Sequence, residues 1–460
     1  MKPVGGPLRK ALPRLTRPSL PLTKPPGTLW SPSRAAGLLP AQGAMARAVA
    51  WITAAYLALY SAYASEIFSN YLHIHLPISF ALAVLLVFLA LSSGQVFRFF
   101  RTSVAIPFLL LFCWWLLSSL LFSLKGYTLE LLNYGWRFHL APFYLCGVVL
   151  TLSAARTLIY GLIWGHLIIL GLCFNYSTMR EGRLVLPETS LSNPNDLAFH
   201  LLFGVAFLTC FLFDRSPLRF LVWAAGTLAS IIYIFRTGSR ANLLTFGVLL
   251  LVGLWLAKPR VRIALLAGIA VLTLLLALLL PRGTLIRLTS FQSVSGDALM
   301  EDPSLAGAIG STEARKALQW RAIDFTLNNP VFGVGPRMYM YASDEAARAV
   351  GMAKGNWQVP HNTYLDISSE TGIPGLVLYV WAVGWGVRTN YRAFRATRGK
   401  PDRAAAASQS LCLLLASVVY AFGTLFCSVP YTGHLPFLLG ITAANHMAIQ
   451  EEDRRRRLLS

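Results

Sequence analysis

Apolar runs, each close to the length of a membrane crossing, recur along the chain and are separated by short polar intervals. They fall at 48–64, 76–91, 104–124, 138–152, 157–176, 195–213, 218–235, 241–257, 263–280, 362–386, 406–428 and 434–449. An α-helix needs about 20 predominantly apolar residues to cross the hydrocarbon core. The pattern therefore predicts an all-α polytopic membrane protein of about 12 transmembrane helices. One interval breaks the rhythm: residues 281–360 are mixed in polarity and predict a mostly helical loop domain. The expected order is a basic tail (1–46), spans one to nine (47–280), the cap (281–360), spans ten to twelve (361–450) and a second basic tail (451–460).

Composition agrees with this class. The chain is 55% hydrophobic and 13% charged, with a mean hydropathy of +0.57, whereas soluble domains carry about 25% charged residues. A net charge of +21 raises nucleic acid as a partner, but the basic residues sit in short clusters between apolar runs and form no single face. Residues 1–46 are rich in proline and basic residues, hold no acidic residue and show no signal-peptide core. They predict a disordered cytoplasmic tail. Met45, directly before the first span, is an alternative start to Met1. The six cysteines all lie inside apolar runs without metal-ligand spacing, which predicts small buried hydrophobes.

Charge then orients the spans. Arg98 and Arg101, Arg156, Arg215 and Arg219, Lys258 to Arg262, Arg388 to Arg403 and Arg454 to Arg457 fall in alternate intervals together with the N-terminal tail. The positive-inside rule makes that face cytoplasmic and the cap extracytoplasmic. Arg137, Arg180, Arg183, Arg236, Arg240, Arg282, Arg287, Arg315, Arg321 and Arg337 then lie on the wrong face for topology. Arg282, Arg287 and Arg315 read as ordinary loop charges. Arg236 and Arg240 differ, because Phe235-Arg236-Thr237-Gly238-Ser239-Arg240-Ala241-Asn242 is a tight turn between two apolar runs. Cations so close to hydrocarbon call for an anionic partner; Gly238 permits the turn and Ser239 offers a hydroxyl.

Within the cap, Thr312 is the expected N-cap of a helix over 313–327 that Asn328-Asn329-Pro330 stops. Val331-Phe332-Gly333-Val334-Gly335-Pro336-Arg337 lacks the third glycine of a nucleotide motif and predicts a turn packed on the membrane face. Tyr339, Tyr341 and Trp357 suit either an interfacial or a sugar-facing role.

Directly after the cap comes Pro360-His361-Asn362-Thr363-Tyr364-Leu365. Pro360 biases the entry to the next helix and Asn362 can cap it. A helix N-terminus disfavours the imidazolium, so His361 is expected to stay neutral and able to accept a proton. Beyond Glu370, Gly372-Ile373-Pro374-Gly375 should kink or break the helix and open room for a lipid or sugar. There is no phosphate loop, no carboxylate cluster for a divalent metal and no evident serine–histidine–aspartate order. A base and several guanidiniums remain. They suit glycosyl transfer from a lipid diphosphate donor to an acceptor hydroxyl, without metal or cofactor.

Three signatures resemble those of the O-antigen ligase family of bacterial envelope glycosyltransferases: Arg236 to Asn242; Trp320-Arg321 with Asn329-Pro330-Val331-Phe332-Gly333-Val334-Gly335; and Pro360 to Leu365 with Glu370-Thr371-Gly372 and Gly375-Leu376. That family also contains O-antigen polymerases and some protein O-oligosaccharyltransferases; the short tail after the last span speaks against the latter. The resemblance implies a periplasmic loop before the histidine helix and an undecaprenyl-diphosphate-linked glycan as donor. The acceptor is a lipid A-core sugar or a second lipid-linked glycan, and the site lies at the periplasmic face of the inner membrane. By position, His361 is the implied catalytic histidine and Arg240 and Arg321 the donor-phosphate arginines, with the nearby Arg315 and Arg337 as alternatives to Arg321. Arg236, Ser239, Asn242, Arg337, Asn362, Tyr364 and Glu370 are the candidate substrate-binding residues around them. One compact cap with a helix and a glycine turn favours ligase over polymerase. A lipid-linked oligosaccharide flippase is the alternative from another class, but it should show charges near mid-membrane and internal repeats.

Overall fold

The structure, a computed structural model, describes residues 43–75, 77–121, 126–180, 182–212, 216–279, 303–351 and 358–459. Its elements in chain order are α1 (Ala44–Ser61), α2 (Ala64–Asn70), α3 (Ile78–Ser92), α4 (Ala105–Leu121), α5 (Gly126–Glu130), α6 (Trp136–His139), α7 (Ala141–Val148), α8 (Leu152–Tyr176), α9 (Pro194–Leu212), α10 (Pro217–Arg236), α11 (Arg240–Leu256), α12 (Pro259–Leu279), α13 (Pro303–Asn328), α14 (Tyr339–Ala349), α15 (Thr363–Thr397), α16 (Ala404–Gly423) and α17 (His434–Leu459). A two-stranded antiparallel hairpin, β1 (Thr178–Arg180) and β2 (Arg183–Val185), joins α8 to α9. The expected all-α membrane architecture is present.

Among the described residues, four helices are long and apolar enough to cross a membrane: α8, α9, α10 and the stretch Pro401–Gly423 that contains α16. The pair α1 and α2, bent by 57°, would make a fifth span, and α3, α4 and α11 are shorter apolar helices. The fourth predicted run departs most from expectation. Residues Leu131–Gly135 form a π-turn, after which α6 and α7 run only from Trp136 to Val148. Pro142 sits in the first turn of α7, where its missing N–H costs nothing. Arg98 ends this helix by donating to the carbonyls of Cys146 and Val149 at 3.2 Å each.

Helices pack closely where side chains are small. A Cβ on Gly161 would strike the backbone of Ala54, and one on Gly165 the Ser61 hydroxyl. Two glycines four residues apart thus bring α8 against α1, the small-residue contact that membrane helices use. The core is aliphatic and aromatic, with Tyr56, Trp115, Tyr144, Tyr379 and Tyr420 fully enclosed. Phe88, Leu110, Phe174, Leu251 and Trp255 remain exposed on the outer faces, as lipid-facing residues would. Five cysteines are buried as expected, and Cys113 is exposed.

The long helix α15 breaks at Gly372, where φ is 72° and ψ is −176°. A broken helix frees backbone groups that water cannot satisfy in an apolar setting. The cap's glycine turn satisfies them. Val334 N–H donates to Ser369 O (2.8 Å), Gly335 N–H to Glu370 O (2.9 Å), and Ile373 N–H to Pro330 O (2.8 Å). Trp114 Nε1 donates to Thr371 O at 2.8 Å and stacks on Phe332. Gly333 and Gly372 interlock: a Cβ on either would meet the other segment's backbone. The break therefore holds a folded turn and does not open room for a substrate beside it.

Other expectations shift. The cap helix α13 begins at Pro303, not after Thr312. Tyr339 is buried, its hydroxyl donating to Leu318 O at 2.7 Å, while Tyr341 is exposed. Trp357 and the bulk of the tail 1–46 lie outside the described residues. The basic segment 451–459 continues α17 as helix.

Candidate functional site

The arginine turn is built by a clamp from another part of the chain. Gly238, at φ 62°, reverses the backbone between α10 and α11. Ser239 caps α11, accepting from Asn242 N–H, and donates its hydroxyl to Asn195 Oδ1 at 2.8 Å. Asn242 Nδ2 donates to Asn195 O at 2.9 Å. Arg183, on β2, donates from Nε to Thr237 O (2.8 Å) and from Nη2 to Asn195 Oδ1 (3.0 Å). Ser239 and Asn242 are buried, so their polar groups are spent on this frame. Arg236 is exposed at the end of α10; Arg240 opens α11 and is half-buried.

His361 is presented by a strained residue beside a fixed helix start. Its φ is 54°, a left-handed conformation uncommon outside glycine. Asn362 follows as the N-cap and accepts from the N–H groups of Tyr364 (3.0 Å) and Leu365 (3.2 Å). Thr363 N–H donates to Thr424 O at 2.8 Å and its hydroxyl to Cys427 O at 2.6 Å. Tyr364 donates its hydroxyl to Ala421 O at 2.7 Å. The segment is thereby tied to the end of α16 before the histidine side chain does anything. Burial lowers the His361 pKa to about 4, with the Arg315 cation as the second cause. The imidazole is neutral as expected, but through desolvation and a neighbouring cation.

Arg315, a loop charge by topology and an alternative to Arg321 by position, lies near His361. It interacts electrostatically with His361, Asp196 and Arg240, and burial lowers its own pKa. Arg321 lies six residues further along the same helix, about 600° of rotation at 3.6 residues per turn, and so points to another face. Its Nη1 donates to Ser343 Oγ at 2.7 Å, inside the cap. Arg337 pairs with Glu130, and its guanidinium lies 5.8 Å from the Tyr431 ring centre. Glu370 is buried and accepts from the N–H groups of Arg337 and Tyr339 at 3.0 Å each.

Of the predicted residues, then, His361 and Arg240 are each linked to Arg315, with Asn362 framing the first and Ser239 and Asn242 the second. Arg321, Arg337, Glu370 and Tyr364 serve the cap and the helix break or bind neighbouring helices. The sequence reading does not single out Asp196 or Asn195, and it marks Arg183 only as one of the arginines on the wrong face. A signal existed for Asp196, the one carboxylate in the first turn of α9, on the face to which charge counting had assigned Arg240. Deeper in the bundle, His166, His200 and His434 line an enclosed cavity of about 40 Å³, with His166 Nε2 2.9 Å from the Ser230 hydroxyl.

Arg315 thus links a neutral imidazole, a second guanidinium and one carboxylate at one end of an apolar helix bundle, an arrangement whose chemistry suits an anionic group. Residues 224–380 match the family model described as O-antigen ligase. This segment carries Arg240, Arg315, Arg321 and His361, and the match bears out the resemblance read from the three signatures. A search of curated proteins finds no match to the chain. The family covers O-antigen ligases and polymerases, enzymes of the glycosyltransferase type acting on lipid-linked glycans.

Proposed function

We propose that this chain transfers an O-antigen glycan from undecaprenyl diphosphate to a sugar hydroxyl of the lipid A core. The site faces the periplasm, in an inner-membrane protein of about twelve spans. The observation that carries the proposal is the grouping of His361 with Arg315 and Arg240 inside the family segment.

The chemistry follows from the parts. The acceptor O–H gives its proton to a ring nitrogen of His361 while its oxygen forms the bond to the anomeric carbon. The bond from that carbon to the phosphate oxygen breaks, and its electron pair leaves with undecaprenyl diphosphate. Attack opposite the leaving group inverts the anomeric centre. Arg240 and Arg315 donate to the departing diphosphate, where negative charge grows. Arg315 is favoured over Arg321 in that role because Arg321 donates to Ser343 within the cap. The low pKa of free His361 fits this sequence, because a diphosphate seated at Arg315 cancels the cation that helps to depress it. The base then strengthens when donor is bound.

The test is transfer in vitro from purified lipid-linked polymer to rough lipopolysaccharide by the protein in nanodiscs. Polymer on the core, with free undecaprenyl diphosphate released, is the expected result. Elongated lipid-linked polymer with bare core would assign a polymerase, and no product with either acceptor would overturn the proposal.

A further inference from the structure

A second concavity lies outside the family segment. It has a volume of about 600 Å³ and is walled by α2, the hairpin and the segment 185–192, with Glu66, Asn70, Thr178, Arg180, Glu188 and Ser190 among its lining. The walls are fixed across long stretches of sequence. Glu66 accepts from the N–H (2.7 Å) and hydroxyl (2.6 Å) of Ser190. Asn70 Nδ2 donates to Glu188 O at 2.6 Å, and Tyr71 donates its hydroxyl to Pro187 O. Glu188 is held at φ 55° with its side chain exposed, and strain of this kind collects at ligand sites.

Two connections join this pocket to the charged site. Arg180, in its lining, pairs in register with Arg183, whose guanidinium grips the arginine turn. The wall segment ends at Ser192 and runs directly into Asn195 and Asp196. A glycan with its diphosphate at Arg240 and Arg315 thus has this pocket beside it.

We infer that the pocket is a carbohydrate subsite, binding sugar residues of a glycan substrate next to the transfer centre. Sugar hydroxyls both donate and accept, and carboxylates, a guanidinium, an amide and hydroxyls around one rim answer both roles. The volume lies within the range of small-molecule sites, about 300–1,000 Å³. The inference rests on the transferase reading; the same chemistry is presented by the donor glycan and by the core acceptor.

Binding is measured on the full chain in nanodiscs with two lipid-free probes: O-polysaccharide fragments released from lipopolysaccharide by mild acid, and core oligosaccharide from a rough strain. One probe should bind the wild type and weaken at least fivefold in Arg180→Ala and Glu188→Gln, with Tm unchanged. The probe that weakens names the occupant, donor glycan or core. In transfer assays, KM for that substrate should rise at least fivefold with kcat within twofold. Equal binding of both probes by wild type and variants, or binding of neither by the wild type, overturns the subsite. Because the probes carry no diphosphate, binding without transfer would leave the subsite standing and count against the transferase reading alone.

Discussion

The two ends of the helix bundle handle arginine in opposite ways. At the end where α15 finishes, Arg403 pairs with Asp453, Arg456 pairs with Asp402 and, at 2.6 Å, with Glu452, and Arg455 reaches Glu451 at 3.2 Å. Arg98 lies in the field of Glu451. At the end where α15 begins, Arg315 has Asp196 and Arg240 in its field, and His361, also in the field of Arg315, is uncharged. At the first end, ion pairs with the chain's own carboxylates neutralise Arg403, Arg455 and Arg456; at the second, Arg315 is partly buried with one carboxylate, Asp196, and one cation, Arg240, in its field. Partly buried positive charge is costly unless an anion meets it, and this supports the proposal that the donor diphosphate is seated at Arg315.

The hardest blow to this contrast is His361→Ala. Loss of a general base typically costs about 10²- to 10⁴-fold, and transfer should fall by at least about 100-fold in nanodiscs with donor binding kept. Arg403→Ala, at the neutralised end, should leave the rate within about twofold of wild type on the same reading that its charge is spent internally. Equal losses in the two variants would erase the distinction between the ends.

Next in size is the choice between two arginines of α13. Arg315→Ala should lower kcat/KM by about 10²-fold or more, the usual cost of removing one donor aimed at developing charge. Arg321→Ala removes a contact to Ser343 and should cost far less. The pH profile sharpens the same choice. His361 acts as a base only when neutral, so kcat/KM falls as pH drops through its pKa. Burial and Arg315 hold that value near 4, which should keep the wild-type profile flat down through pH 6.5. Removing the cation raises the pKa, so Arg315→Ala should move the acid limb upward, and Arg321→Ala should not. An unmoved limb in Arg315→Ala would put the arginine elsewhere.

How much of this could be read from the chain depends on the range of the interaction involved. The helical, apolar character of the chain, the helix start at Asn362, the turn at Gly238 and the break after Glu370 are local, set by a few adjacent residues, and appear in the structure. The fourth run did not keep to its pattern, because hydropathy registers burial without registering whether a helix is continuous through Leu131–Gly135 and Pro142. The occupant of the break was invisible, since Pro330, Val334, Gly335 and Trp114 reach Ser369–Ile373 from elsewhere in the chain. Arg315 and Arg321 were indistinguishable as charges; only the rotation of α13 against Asp196 and His361 separates them. Asn195 carries no functional signature, Arg183 only that of an arginine on the wrong face, and the clamp they form is seen in the hydrogen bonds to Thr237, Ser239 and Asn242.

That clamp gives the third prediction. Asn195→Ala would leave Ser239 Oγ, Arg183 Nη2 and the capping frame short of a buried acceptor, at about 1–3 kcal/mol. The expected result is a drop in Tm together with a rise in KM for the lipid-linked donor of about tenfold, because Arg240 loses its fixed start to α11. A drop in Tm with unchanged KM would make the clamp structural alone and detach Arg240 from donor binding.

The smallest effect belongs to the neutralised end. Arg456 is about one third exposed and its partner Asp402 more so, and exposed ion pairs contribute about 0–1 kcal/mol. Asp402→Asn should therefore shift Tm by no more than a degree or two and leave transfer untouched at physiological salt. Its interest lies in low salt, where screening weakens: the Tm difference between wild type and Asp402→Asn should widen there. The same change of salt should act in the opposite sense at the other end. Donor binding should strengthen as ionic strength falls, because Arg315 and Arg240 then attract a diphosphate that no carboxylate of the tails competes for. A donor KM indifferent to salt would mean that the positive charge at the histidine end is already neutralised, and the contrast between the two ends would fail with it.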